Sequence, residues 1–125
     1  LGRVNHDEAL SLYGRCYSVF AYYDPAIPIN VCASPTKLYE AMACSRPVII
    51  NCEVDFSRRV VDWGTGWTAP YEDTGKLVEI LRAITQEPQS AVERGQRAGW
   101  VFESRFAWER YEDSLLEIVV RAMKT

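Results

Sequence analysis

The sequence is short of the residues that build metal and redox sites. It has a single histidine, His6, and none of its four cysteines stands in a Cys-x-x-Cys pair. Cys16, Cys32, Cys44 and Cys52 are spaced without the ligand pattern of a zinc site, so no metal is expected. They read instead as buried free thiols of a protein kept in a reducing cytoplasm. One-sided charge is lacking too: 14 basic residues against 17 acidic ones leave a net charge of -3. Such a balance gives no footprint for nucleic acid or an anionic membrane. The longest apolar run is far below the roughly 20 residues that cross a bilayer. There is no charged leader with an apolar stretch and a cleavage site, so any membrane association is expected to come from another part of the protein. Methionine is absent from the first position, which is Leu1, and the chain is read as a piece of something longer.

What is present argues for a real core. The apolar share is 48% and there are four tryptophans, too much for a disordered chain. At 125 residues, the whole of 1–125 is expected to form one domain burying roughly two thirds of its unfolded surface.

Helices and strands alternate along the chain. Asn5 and Glu8 make a capping-box pattern ahead of Ala9, Leu10, Leu12 and Tyr13, which predicts a helix over about 6–15. "SVFAYY", 18–23, is a β-branched and aromatic run that reads as a buried strand. Two prolines in "DPAIPINVCA" predict a loop. Ser34 is placed as an N-cap and Pro35 as the first residue of a helix running to Cys44. "PVIIN" predicts the next strand, followed by a short helix over 56–63, a turn at "WGTGW" and a strand near 67–70. Leu77, Ile80, Leu81 and Ile84 then predict a helix, "QEPQS" breaks it, and another begins near Pro88. A stripe from Trp108 through Tyr111, Leu115, Ile118, Val119 and Ala122 predicts a last helix, with Trp108 anchoring it in the core. Leu1 to Val4 read as the remnant of one more strand. Strands joined by helices require crossovers, so the expected class is α/β: a three-layer α/β/α, Rossmann-like domain on a short parallel sheet.

In such a sheet, ligands sit beyond the carboxyl ends of the strands, at helix N-termini. The loop after Tyr23 leading to Ser34, and the loop after Asn51, are the two candidates. On the helix that starts near Pro35, Leu38 and Met42 face the sheet while Thr36 and Glu40 face away, with Lys37 beside them. The free amides of Thr36 and Lys37 suit a phosphate, Lys37 adds a point charge, and Glu40 suits a pair of ribose hydroxyls. By spacing alone, Lys37 and Glu40 read first as a solvated i, i+3 pair worth a few tenths of a kcal/mol. His6 reads as exposed and Asp24 as the cap of its own turn. "GTG" precedes a strand, so it reads as a turn and not a phosphate cradle.

"SPTKLYEAMACSRPVI" resembles the donor-binding signature of retaining GT-B glycosyltransferases of family 4 (glycosyl transferases group 1), and "GRVNHDEALSLYGRCYSVFAYYDP", "WGTGWTAPYEDTGKLVEIL" and "RFAWERYEDSLLEIV" fit the same carboxyl-terminal domain in order. The resemblance covers essentially the whole chain. It implies a donor domain for a nucleotide-diphosphate sugar, which is a substrate, with no separate cofactor. Glu40 matches the carboxylate for the nucleotide ribose and is the residue carried over into the active site. Thr36 and Lys37, beside Ser34, match the positions where amides meet the diphosphate.

Two positions depart from the pattern. Cys32 stands where the family often has a Glu that touches the donor sugar, and Ser45 stands where a Gly is usual. The resemblance also implies that the family's diphosphate-binding Arg and Lys, and an acceptor-binding domain, precede residue 1. Sugar transfer is therefore not expected from this chain alone, and an unpaired sheet edge or an exposed last helix is expected to favour a homodimer. A non-catalytic relative serving as an interaction module is the alternative. A phosphorylation-receiver domain ranks last, because "LGRV" has no acidic pair.

Overall fold

The computed structural model describes residues 4–124; the expected strand at Leu1 to Val4 falls outside them for its first three residues. Three short strands, β1 (Val19–Ala21), β2 (Val48–Asn51) and β3 (Gly66–Ala69), form one sheet in the order β1-β2-β3. Both pairings are parallel, with Val19 opposite Val48 and Val48 opposite Gly66. Every residue of the central strand is buried, which is what a strand covered on both faces requires.

Alternation along β2 divides the core. Val48 and Ile50 join Leu38, Ala41 and Met42 of α3 (Thr36–Ala43), Phe56 and Val60 of α4 (Phe56–Trp63), and Ala98 and Val101 of α6 (Pro88–Arg105). Ile49 points the other way, into a smaller cluster with Ile80 and Ile84 of α5 (Thr74–Gln86) and Ala91. The period of two puts successive side chains on opposite faces, so helices cover both. The three-layer α/β/α arrangement is the one the sequence predicts.

The first helix, α1 (His6–Tyr13), starts as expected: the Asn5 side chain accepts a 2.8 Å hydrogen bond from the Glu8 amide. Other expectations need correcting. The proline-rich segment after β1 contains a short helix, α2 (Pro28–Val31), with proline at its start, where the missing N–H was one of the orphans anyway. Helix α3 begins one residue late. Pro35 is its N-cap, no side chain caps it, and the Ser34 hydroxyl instead pairs with Tyr39 Oη at 2.6 Å. Trp108 is not an anchor: it lies in a 3-10 turn (Trp108–Arg110) and is 58% exposed. The final helix, α7 (Glu112–Met123), starts after that turn and buries none of its residues. The cysteines are unpaired, but Cys32 and Cys52 are exposed and Cys16 and Cys44 only half-buried.

Ser45 explains how α3 hands over to β2. It holds a left-handed conformation, φ 53°, while the Arg46 amide donates to Ala41 O and the Ser45 amide to Met42 O. This 6→1 and 5→2 pair is a Schellman close, whose left-handed residue is usually glycine. A serine there stores roughly 1–2 kcal/mol. Helix α6 packs directly on this turn: a Cβ on Gly95 would come within 2.2 Å of Ser45 O, and one on Gly99 within 2.3 Å of Ser45 Oγ.

Candidate nucleotide site at the start of the third helix

Asn51, the last residue of β2, is fully buried and organises the strand ends. Its side chain accepts from the Tyr23 amide at 2.9 Å and donates to Tyr23 O at 3.0 Å and to Glu53 at 2.9 Å. This ties the chain leaving β1 to the chain leaving β2. Burial pushes the Glu53 carboxyl up, but hydrogen bonds from Asn51 and from the Tyr71 amide outweigh it and hold the group below its usual range. A buried amide with both ends satisfied makes a rigid rim, from which the 24–34 segment runs to α3.

Two concavities open at this end of the sheet. One, of about 230 Å³, is lined by Cys32, Ala33 and Ser34 from the segment before α3 and by Asp55, Phe56 and Arg59 from the start of α4. The Arg59 guanidinium lies 5.6 Å from the centre of the Phe56 ring, a cation–π distance that holds it at the wall. The other, beyond Asn51, is lined by Asp24, Glu53, Glu72 and Asp73 together with Pro25 and Tyr71. Four carboxyl side chains repel an anion such as a diphosphate, whereas the first concavity sets the Arg59 guanidinium against the single carboxylate of Asp55. Electrostatics therefore separates two cavities that topology alone leaves equal.

The predicted site residues divide. Cys32 and Ser34 line the cavity with Arg59; Thr36 and Lys37 are exposed on the first turn of α3. Glu40 is not in that cavity. Its side chain, 27% exposed, faces α1: Oε2 accepts from Tyr13 Oη at 3.2 Å and Oε1 lies 3.9 Å from His6 Nδ1. His6 is exposed, as expected. Burial first, and then the hydrogen bond to the Glu40 carboxylate, push the Tyr13 phenol up to about 12. The uncapped start of α3 thus lies between a carboxylate on the α1 side and a guanidinium on the α4 side. Sequence reasoning missed both Tyr13 and Arg59. Tyr13 was read only as an apolar helix residue, and nothing near Arg59 in the chain hints that it meets Cys32.

Among solved structures, sucrose-phosphate synthase from Thermosynechococcus elongatus superposes on the chain with a TM-score of 0.77 at 21% identity, over 99% of this chain and 30% of that one. The fold is glycosyltransferase-like, and the chain spans less than a third of that protein. No family model matches the chain, and no curated protein matches it by sequence. Among the described residues, no helix is long and apolar enough to cross a membrane.

Proposed function

We propose that this chain is the donor side of a nucleotide-sugar-dependent, retaining GT-B glycosyltransferase of the family 4 type, and that it binds the nucleoside diphosphate at the start of α3. The observation that carries the reading is the half-buried Glu40 carboxylate held one turn inside a helix that no side chain caps, at the carboxyl end of a parallel sheet in a glycosyltransferase-like fold. Glu40 would accept the two ribose hydroxyls. The Thr36 and Lys37 amides would meet the diphosphate, which the helix dipole and the Lys37 ammonium favour. Ser34, Cys32 and Arg59 would face the sugar end. Cys32 in place of a carboxylate removes an acceptor for sugar hydroxyls and the charge that would repel a phosphate.

Size limits what the site does unaided. Ligand pockets usually enclose about 300–1,000 Å³, and the cavity at Cys32 is about 230 Å³. It suits one sugar ring or phosphate group and leaves the rest of a nucleotide sugar on an open surface. Acceptor binding and a closed active site would belong to a second domain of the whole protein.

Titration of the isotope-labelled chain with UDP, GDP and ADP tests the reading. Saturable shifts around Thr36 to Glu40, with a dissociation constant on the order of millimolar and weakened by Glu40→Ala, are expected. Absence of binding by all three at millimolar concentration would overturn it in favour of an interaction module that kept the fold without the donor.

A further inference from the structure

Among the described residues, the side-chain hydrogen bond between α1 and α3 is that from Tyr13 to Glu40, which joins residues 27 positions apart, and His6 of α1 adds a longer contact of 3.9 Å to the same carboxylate. Tyr13 is itself fixed. Its ring packs against the main core cluster, its carbonyl accepts from Cys16 Sγ at 3.3 Å, and the next carbonyl, Gly14 O, accepts from Arg46 Nη2 at 2.9 Å. The phenol is therefore a donor on a rigid support, aimed at one oxygen of a carboxylate on the neighbouring helix.

An ionised carboxylate has about four acceptor positions on its two oxygens. Tyr13 takes one on Oε2. Among the described residues no hydrogen bond falls on Oε1, whose neighbour His6 stands at 3.9 Å, beyond hydrogen-bond reach. What remains open matches two hydroxyl donors side by side. A glutamate free to rotate would have to be ordered on binding, at a cost in side-chain entropy; one already held by a phenol would not.

We infer that Tyr13 is a positioning residue that orients the Glu40 carboxylate to select a ribose diol, so that ribonucleotides are preferred over their 2′,3′-dideoxy counterparts. This rests on the proposed donor site and adds the residue that gives it ribose selectivity. Tyr13 does not touch the ligand. It acts by keeping Oε1, and the second lone pair of Oε2, turned to the same side.

The test compares UDP with 2′,3′-dideoxy-UDP on the wild-type chain, Y13F, Glu40→Gln and the double variant. Wild type is expected to prefer UDP by about tenfold, the scale of hydrogen bonds to a charged acceptor. In Y13F that ratio is expected to fall to about threefold or less, chiefly through weaker UDP binding, with dideoxy-UDP unchanged. Adding Y13F to Glu40→Gln is expected to change nothing more, since the two act as one unit. A merely structural role for Tyr13 would weaken both ligands alike and leave the ratio intact. Y13F that keeps the full ratio overturns this inference while the donor site stands. Wild type that binds both ligands equally, or neither, overturns the ribose assignment of Glu40 as well. Should Y13F not fold, Tyr13→Leu removes the same hydroxyl while keeping an apolar contact.

Discussion

Helices α6 and α7 both present an apolar stripe, yet one is built into the molecule and the other is not. Helix α6 buries Ala91, Gly95, Ala98, Gly99 and Val101, all small or medium residues. Its backbone approaches the turn at Ser45 closely, and Arg94 and Arg97 reach over to donate to Gly66 O and Gly64 O at 3.0 Å each. Helix α7 has larger apolar side chains, but Leu116, Ile118 and Met123 are 56%, 65% and 82% exposed. Large residues at helical spacing therefore did not decide which helix is buried. Complementarity to a surface did: α6 meets the Ser45 turn through glycines at 95 and 99, where a Cβ would not fit, while nothing among the described residues covers α7.

The strongest test of this difference is Gly95→Ala. The new Cβ would lie 2.2 Å from the Ser45 carbonyl oxygen, a backbone atom that cannot rotate aside. Overpacking of this kind costs about 3 kcal/mol, so chemical denaturation should show a lower midpoint with little change in slope. If Gly95→Ala unfolds like wild type, α6 is not seated on the turn.

A smaller and more specific effect is expected at Gly99. There the Cβ meets Ser45 Oγ at 2.3 Å, a side-chain atom, so the loss should be about 1 kcal/mol and removable. Ser45→Gly takes away the obstacle and also relieves the left-handed serine. The pair S45G/G99A should then be at least as stable as wild type, with a coupling of about 1 kcal/mol in a double-mutant cycle. Effects that simply add, with no coupling, would mean that the contact between α6 and the Schellman close does not hold.

Helix α1 falls between the two cases. It buries no residue completely, yet it is docked through the Tyr13 ring and hydroxyl. Because burial and the Glu40 carboxylate raise the phenol to about 12 from an ordinary value near 10, the folded state favours the protonated form. The stability from this tyrosine is complete below pH 10 and is lost as the pH rises through about 12. Y13F should therefore lose part of the alkaline destabilisation expected of wild type between those values. Identical alkaline profiles for the two would show that α1 is held by apolar contact alone.

These differences follow how far apart in the sequence the partners lie. The strands, α1, α3 to α6 and the parallel class were legible, because buried β-branched runs, caps and helical periodicity are local signals. Helix α2 was not, because two prolines in five residues look like a breaker when one of them can equally start a helix. Trp108 was misplaced because an aromatic at stripe spacing signals a core only if a partner surface exists. At the candidate site, the start of α3 near Pro35 and Glu40 could be read from the chain, whereas the lack of a side-chain cap could not, because Ser34 looks like an N-cap until Tyr39 takes its hydroxyl. The Tyr13 bond and the Arg59 wall arise from elements brought together by the sheet, and no spacing rule announces them.

The smallest effect on stability is expected on α7, and its absence is informative. Leu116→Lys with Val119→Lys puts two charges on the stripe. Since those side chains are already half exposed, unfolding of the dilute monomer should change by no more than about 0.5 kcal/mol. Association should respond instead. The helix is acidic in its first turn, at Glu112 and Asp113, and basic in its last, at Arg121. Two copies laid antiparallel would bury both stripes, the self-complementary geometry of a two-fold dimer. Sedimentation equilibrium should thus show wild type dimerising towards millimolar concentration and L116K/V119K staying monomeric. A loss of about 2 kcal/mol in the monomer's stability would mean instead that α7 folds back on its own domain. Wild type that remains monomeric throughout would remove the second copy as the partner of this helix.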